Sequence, residues 1–325
     1  MDQPVKIKED VYWIGALDPG LVVFDIVIPT KHGTTYNAYL VRGEKIAVIE
    51  TVKSYCVDDF ISKIRSLVRP EDIDYIIINH TEPDHSGGLI RLMELAPKAI
   101  PVFSRGARTF VKNILHKEFD YMEVKAGDSI DLGGKVLKFI SAPFLHWPDT
   151  MFTYLETDKI LFPCDAFGSH YCSDKRFNDE LDSKEDAFTA YEFYYDTILR
   201  PFKKHVIDAL DNIKDTDIEI IAPSHGPILR ENIKKYIDSY REWAGKTKKY
   251  PDKKKIVIIY VSSYGSTKRM AESIYRGACL PDADVSLLDA AEIDMDSLLD
   301  EIDAADGIIL GTPTLNAKAP KPIFD

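Results

Sequence analysis

NHTEPDHSGG, residues 79–88, sets four side chains able to bind a metal, His80, Glu82, Asp84 and His85, within six residues. The stretch follows DYIIIN, a short β-branched run that reads as a buried strand, and leads into GLIRLMELA, which has helical spacing. The four side chains therefore sit on a strand-to-helix turn, at the strand ends where α/β proteins place ligands. If the turn begins extended, residues 80, 82 and 84 point to one side and His85 takes the neighbouring direction as the chain bends, so one loop could serve two metals. A polar loop rich in His and acids by chance is the competing reading, and partners elsewhere in the chain weigh against it.

Three more candidates follow apolar strands in the same way. His146 comes after KVLKFISAP, Asp165 after KILFP and His225 after IEIIAP. Strand ends that each present His or a carboxylate are expected where a fold converges its strand termini on one site. Imidazole with carboxylate favours iron, manganese or zinc. Seven ligands exceed what one tetrahedral ion takes, so two ions sharing a bridging carboxylate is the economical arrangement. Of the remaining histidines, His116 and His205 read as solvated, and His32 and His170 as loop residues that could support the site. Cys164 reads as a small buried hydrophobe, and Trp147 as either packing or substrate access.

The 325 residues, 45% of them hydrophobic, suggest two domains with real cores. A formal charge of -12 argues against nucleic-acid and anionic-membrane partners, which demand clustered cations. Cys56, Cys164, Cys172 and Cys279 form no CxxC pair, so neither a disulfide framework nor a thiolate zinc site is indicated. No leader-like or membrane-length apolar run is present, and a soluble cytoplasmic protein is expected.

Residues 5 to 50 read as an antiparallel meander, followed by a βαβα passage through the ligand motif. A second β-rich half then spans DSIDLGG, KVLKFISAP and MFTYLETDKILFPCDAF, with helical stretches over 182–213 and ENIKKYIDSYREWAG. Two β-rich halves flanked by helices predict a four-layer αββα sandwich. KTKKYPDKKK, 246–255, with six lysines and a proline, reads as a linker. Beyond it, strand, polar loop and helix begin a second, doubly wound α/β domain. The expected boundaries are 1–248, a linker at 249–254, and 255–325.

The motif H-x-E-x-D-H, with His146 in HWPD, Asp165 in CDAF, His225 in SHGP and GTTYNAYLV near the N-terminus, resembles the flavodiiron proteins, or A-type flavoproteins. Their core is a metallo-β-lactamase-like domain followed by a flavodoxin-like domain. The related hydrolases usually carry His where this chain has Glu82, and a carboxylate there suits hard, redox-active iron. The resemblance implies two irons: His80, Glu82 and His146 on one, Asp84, His85 and His225 on the other, and Asp165 bridging. Family members differ in whether the histidine at the position of His85 coordinates. A tyrosine after the bridging Asp also belongs to the family's site, and Tyr194 or Tyr195 could match it.

SSYGST, formed by Ser262, Ser263, Tyr264, Gly265, Ser266 and Thr267, looks like a flavodoxin phosphate loop. Hydroxyls and successive N–H groups at a helix N-terminus make an anion cradle, and Gly265 permits close approach of the backbone. In GTPTLNAKAPKP, 311–322, Thr312, Pro313, Thr314 and Asn316 resemble the family's second FMN loop. The sequence stops at Asp325, so the flavodoxin-like domain is expected to be C-terminally incomplete.

The function implied by the resemblance is transfer of electrons through FMN to the diiron site, reducing dioxygen to water or nitric oxide to nitrous oxide. A rubredoxin-like protein or a reduced deazaflavin would be the donor. The assembly implied is a head-to-tail homodimer, or a dimer of such dimers, in which one subunit's flavin meets the other's irons. A metallo-hydrolase and a non-catalytic gas sensor are the alternatives.

Overall fold

In the computed structural model, residues 3–116, 119–245, 253–315 and 317–324 are described. The chain divides into two compact units, Met1–Gly245 and Lys246–Asp325.

The first unit stacks two sheets. Tyr75–Ile78 lies inside a seven-stranded sheet, parallel to Ile46–Ile49 on one side and Ile100–Ser104 on the other. Its continuous apolar run is explained by burial on both faces. Ile76 and Ile78 pack with Phe60, Ile64, Leu89 and Leu92 from the outer helices. Ile77 points the other way, into a core shared with Phe139, Leu155 and Phe162 of the second sheet. Side chains of this kind contribute about 1.5–3 kcal/mol each on full burial, before the entropy of ordering them is subtracted.

The second sheet has the order Ser129–Asp131, Val136–Ser141, Met151–Leu155, Ile160–Phe162 and Ile220–Ile221, antiparallel except for the last pair. Phe152, Tyr154 and Leu161 on its outer face pack against Tyr191, Val206, Leu210 and Tyr240, which lie on the helices Lys184–Tyr194, Lys203–Ile213 and Ile233–Gly245. The four layers are those of the expected αββα sandwich. Residues 151–162 form a hairpin of two strands turning at Lys159 (φ 57), not one long strand. Two elements go beyond the sequence reading: the edge strand Met122–Val124 and the small hairpin Val23–Phe24/Ile28–Pro29.

The second unit is a parallel sheet with Lys254–Tyr260 between Ala283–Asp289 and Gly307–Gly311. Val257 and Ile259 pack against Leu298 of one helix, while Ile258 and Tyr260 pack against Ala271 of another, so helices cover both faces in doubly wound fashion. The lysine-rich linker reading needs a correction at its end, because Lys254 and Lys255 belong to the strand. Lys255 is buried, its ammonium held by Asp284 (3.1 Å), Glu301 (2.8 Å) and Ser286 Oγ (2.7 Å). Paired in this way a lysine satisfies a buried position that its charge alone would forbid. Residues 246–252 lie outside the described residues.

Among the described residues no helix is long and apolar enough to cross a membrane.

Candidate metal centre

Asn79 ties the end of the ligand-bearing strand to both sheets. Its N–H donates to Glu50 Oε1 (2.9 Å), its amide nitrogen to the Phe162 carbonyl (3.3 Å), and its amide oxygen accepts from Thr153 Oγ1 (2.7 Å). The turn then departs from the extended path the sequence suggested. Pro83 opens a short helix, Pro83–Ser86, because its fixed φ and missing N–H suit a first helical position. Asp84 and His85 therefore project from a helical turn, with the His85 carbonyl pinned by the Thr51 N–H at 2.9 Å.

All seven sequence-derived ligands converge. His80 Nε2 and His146 Nε2 lie 3.0 and 3.1 Å from Glu82 Oε2, and 3.7 and 3.8 Å from Asp165 Oδ2. His85 Nε2 and His225 Nε2 lie 3.3 and 3.1 Å from Asp84, and 3.3 and 3.4 Å from Asp165 Oδ1. The two oxygens of Asp165 thus face two different groups of ligands. Glu82 (14% side-chain exposure) and His146 (22%) form the open side, and the other five are buried.

This donor set fits a pair of cations. Both Asp84 carboxylate oxygens and His85 Nε2 are buried with no hydrogen bond, an arrangement that costs free energy unless something positive lies between them. Three carboxylates with four imidazoles form a hard-to-borderline set suited to iron. In the metal-free protein burial works against the charged forms of His85, His225 and Asp165, and mutual pairing outweighs it. Asp84 and Asp165 raise His85 to about 9, the nearby carboxylates of Asp165 and Asp84 raise His225 to about 10, and the imidazoles hold Asp165 well below the usual carboxylate range.

Residues the sequence reading passed over hold these ligands in place. Asp149, in the same HWPD stretch as His146, accepts from His80 Nδ1 (3.2 Å) and from Thr81 N and Oγ1 (both 2.7 Å). The Thr35 carbonyl accepts from His225 Nδ1 (2.6 Å), and Thr35 Oγ1 accepts from Gly226 N (2.7 Å). The buried acid in HWPD was the one available signal; nothing in the spacing marks Thr35. Gly226 (φ +78) is required because a Cβ there would meet Ser169 Oγ at 2.2 Å.

Of the two tyrosines, Tyr194 donates its hydroxyl to Asp165 Oδ1 (3.0 Å), whereas Tyr195 turns its ring into the core against Tyr240 and Trp243. Successive helical residues diverge by about 100°, so both cannot face one site. His170 packs beside Tyr194 and His225, its Nδ1 2.9 Å from Thr34 Oγ1, and burial next to His225 lowers it to about 3. His32 lies against Tyr171. Trp147 stacks edge-on to His80, with ring centroids 5.0 Å apart. Cys164 is buried, as read, with its sulfur 3.8 Å from His85 Nδ1.

In the second unit, residues 262–265 turn between the strand Lys254–Tyr260 and the helix Ser266–Ala278. Gly265 (φ 80) caps that helix with open space where a Cβ would be. Ser262 Oγ is buried without a partner, and Tyr264 is 93% exposed. Thr312, Pro313 and Thr314 leave the adjacent strand Gly307–Gly311, joined to the first loop by Val261 N donating to the Gly311 carbonyl (2.9 Å). Parallel neighbours place both loops, with Ser263, Ser266 and Thr267, at one sheet edge beside a helix N-terminus, which suits a phosphate-bearing ligand. Asn316 lies outside the described residues.

Residues 34–226 match the family described as ODP family beta lactamase, and residues 258–321 match flavodoxin. The chain is 43% identical over 331 residues to the flavo-diiron protein FprA2 of Clostridium acetobutylicum, covering 99% of this chain and 81% of that one. It is 38% identical over 320 residues to a protein named nitric oxide reductase of Moorella thermoacetica, covering 97% and 79%. Among solved structures, the rubredoxin oxygen:oxidoreductase from the anaerobe Desulfovibrio gigas superimposes with a TM-score of 0.76 at 29% identity, covering 99% of this chain and 80% of that one.

Proposed function

The chain belongs to the flavodiiron family, whose cofactors are a non-haem diiron site and FMN, and from that premise we propose that it reduces dioxygen to water or nitric oxide to nitrous oxide. The observation that carries this reading is Asp165, whose two oxygens each face a separate group of imidazole and carboxylate ligands. In this proposal His80, Glu82 and His146 would hold one iron and Asp84, His85 and His225 the other, with Asp165 shared between the two groups. Bound iron supplies one-electron redox chemistry next to a position open to a gas, and bound FMN supplies its electrons.

The chain's own residues do the rest. Asp149 and the Thr35 carbonyl fix the ring planes of His80 and His225. The Tyr194 hydroxyl steadies Asp165 by donating its one hydrogen to Oδ1. Glu82 and His146 leave the one partly open face, by which a small gas would enter. Ser262, Ser263, Tyr264, Gly265, Ser266 and Thr267 would hold the flavin phosphate, with Thr312, Pro313, Thr314 and Asn316 toward its ring and ribityl chain. We place the end of the metal domain at 248 and the start of the flavin domain at Lys254, where its first strand begins. The proposed donor is a rubredoxin-like protein or a reduced deazaflavin, and the proposed assembly a head-to-tail homodimer. Four free cysteines favour a reducing cytoplasm.

The test is metal analysis of the purified protein together with uptake of each gas from a reduced rubredoxin or deazaflavin. Two irons per chain and turnover of at least one gas are expected. Two zinc ions with hydrolytic turnover, or gas binding with no consumption, would each overturn the reading. Sedimentation of an active monomer would separately reject the dimer.

A further inference from the structure

Glu50 lies behind the metal centre and outside its ligand set. It follows the strand Ile46–Ile49 with a left-handed backbone (φ 59) that a residue with a Cβ adopts only where its surroundings impose it. The side chain is 1% exposed. Oε1 accepts the Asn79 N–H (2.9 Å), and Oε2 is buried with no partner. One polar atom each of Glu50, His85 and Cys164 lie within 4.8 Å of one another.

The imidazoles of the centre explain what Oε2 is for. An imidazole that binds a metal through Nε2 carries its hydrogen on Nδ1, and in a dry site that hydrogen needs an acceptor. His80 has Asp149 for this purpose, at 3.2 Å, and His225 has the Thr35 carbonyl, at 2.6 Å. His85 also turns Nε2 toward Asp84 and Asp165, but its Nδ1 faces Cys164 Sγ at 3.8 Å, a weak acceptor at long range. Glu50 brings a carboxylate, a strong acceptor, to the same cluster, and its Oε2 is the oxygen left without a partner. We propose that Glu50 is a positioning residue that takes the Nδ1–H of His85 and so keeps His85 turned onto the second metal. The inference rests on the diiron reading and adds to it the device that decides whether His85 coordinates in this chain.

Glu50→Gln is the discriminating variant. It keeps the volume but has one acceptor oxygen; with that oxygen on the Asn79 N–H, its NH₂ meets Nδ1–H donor to donor. In the iron-loaded variant, the Mössbauer signature of the second iron should become that of His85→Asn. A chelator should remove that iron roughly 10–100-fold faster than from the unaltered protein. The double variant should be no worse than His85→Asn alone. Unchanged spectra and chelation kinetics in Glu50→Gln, or effects that multiply in the double variant, would overturn the proposal. If Glu50→Gln does not fold, a crystal structure of the iron-loaded natural chain decides: Oε2 within hydrogen-bond reach of Nδ1 supports it, and any greater separation rejects it. A natural chain that does not load two irons rejects the diiron reading itself.

Discussion

Tyr194 donates its hydroxyl to Asp165 Oδ1 at 3.0 Å from a buried position on an aromatic helix. Asp165 is the carboxylate that faces both ligand groups, so this bond acts on the residue shared between them. A hydrogen bond to a charged group contributes about 1.5–3 kcal/mol. Tyr194→Phe should destabilise the metal-free protein by about that amount in denaturant titrations. It should also lower the reduction potential of the loaded site, because an unbonded carboxylate donates more charge to iron. Tyr195→Phe should leave the potential unmoved, and equal shifts in the two variants would refute the distinction.

Asp149 accepts three hydrogen bonds, one from His80 and two from Thr81. Asp149→Asn keeps the shape but puts an amide donor against one of those N–H or O–H groups. Metal at the His80, Glu82 and His146 position should dissociate roughly 10–100-fold faster, as for other buried carboxylate partners of ligand histidines. Competition with a coloured chelator measures this directly, and a rate equal to that of the unaltered protein would count against the role given to Asp149.

The stability of the protein stripped of metal should fall on the alkaline side. His85 and His225 have folded values of about 9 and about 10, against 6.5 when unperturbed. A raised histidine stabilises fully below its unfolded value and loses that contribution as pH rises through its folded value. The decline therefore runs from about pH 6.5 to about 10. Asp165 is shifted the other way, so its contribution holds above the ordinary carboxylate range and is lost only in strong acid. Metal takes the imidazoles in neutral form and releases their protons, so the loaded protein should show no such alkaline decline. Thermal unfolding from pH 6 to 10 with and without chelator tests both; a flat profile for the stripped protein contradicts the pairing.

Glu82 Oε2 sits 3.0 Å from His80 Nε2 and 3.1 Å from His146 Nε2, the place where an imidazole would make a zinc-type pocket. Glu82→His should fold, since the number of ligands is unchanged, but shift the preference from iron toward zinc. Gas consumption should fall by at least on the order of tenfold, because zinc has no redox chemistry and any iron retained loses a charged ligand. Preparing the natural chain and the variant with both metals present, then measuring content and uptake, decides it. Two irons and full uptake in the variant would mean that Glu82 does not separate this chain from the hydrolases.

The order of layers and the set of candidate ligands were legible because each rests on a local pattern. Tyr75–Ile78 must be buried on both faces to be so apolar, and His80, His146, Asp165 and His225 each follow a strand whose end lies at one edge of the sandwich. The polar turn at Gly265, between strand and helix, was legible for the same reason. What tertiary structure alone decided are relations across long stretches of chain. Asp149 is 69 residues from His80, Thr35 is 190 from His225, and Glu50 meets His85 and Cys164 only because separate strands end side by side. Whether Tyr194 or Tyr195 reaches Asp165 depends on the rotation of one helix, set by where Tyr240 and Trp243 pack. Residue types and their spacing specify which atoms can bind a metal; the direction each ring faces is set by buried hydrogen bonds that form only once both sheets have closed.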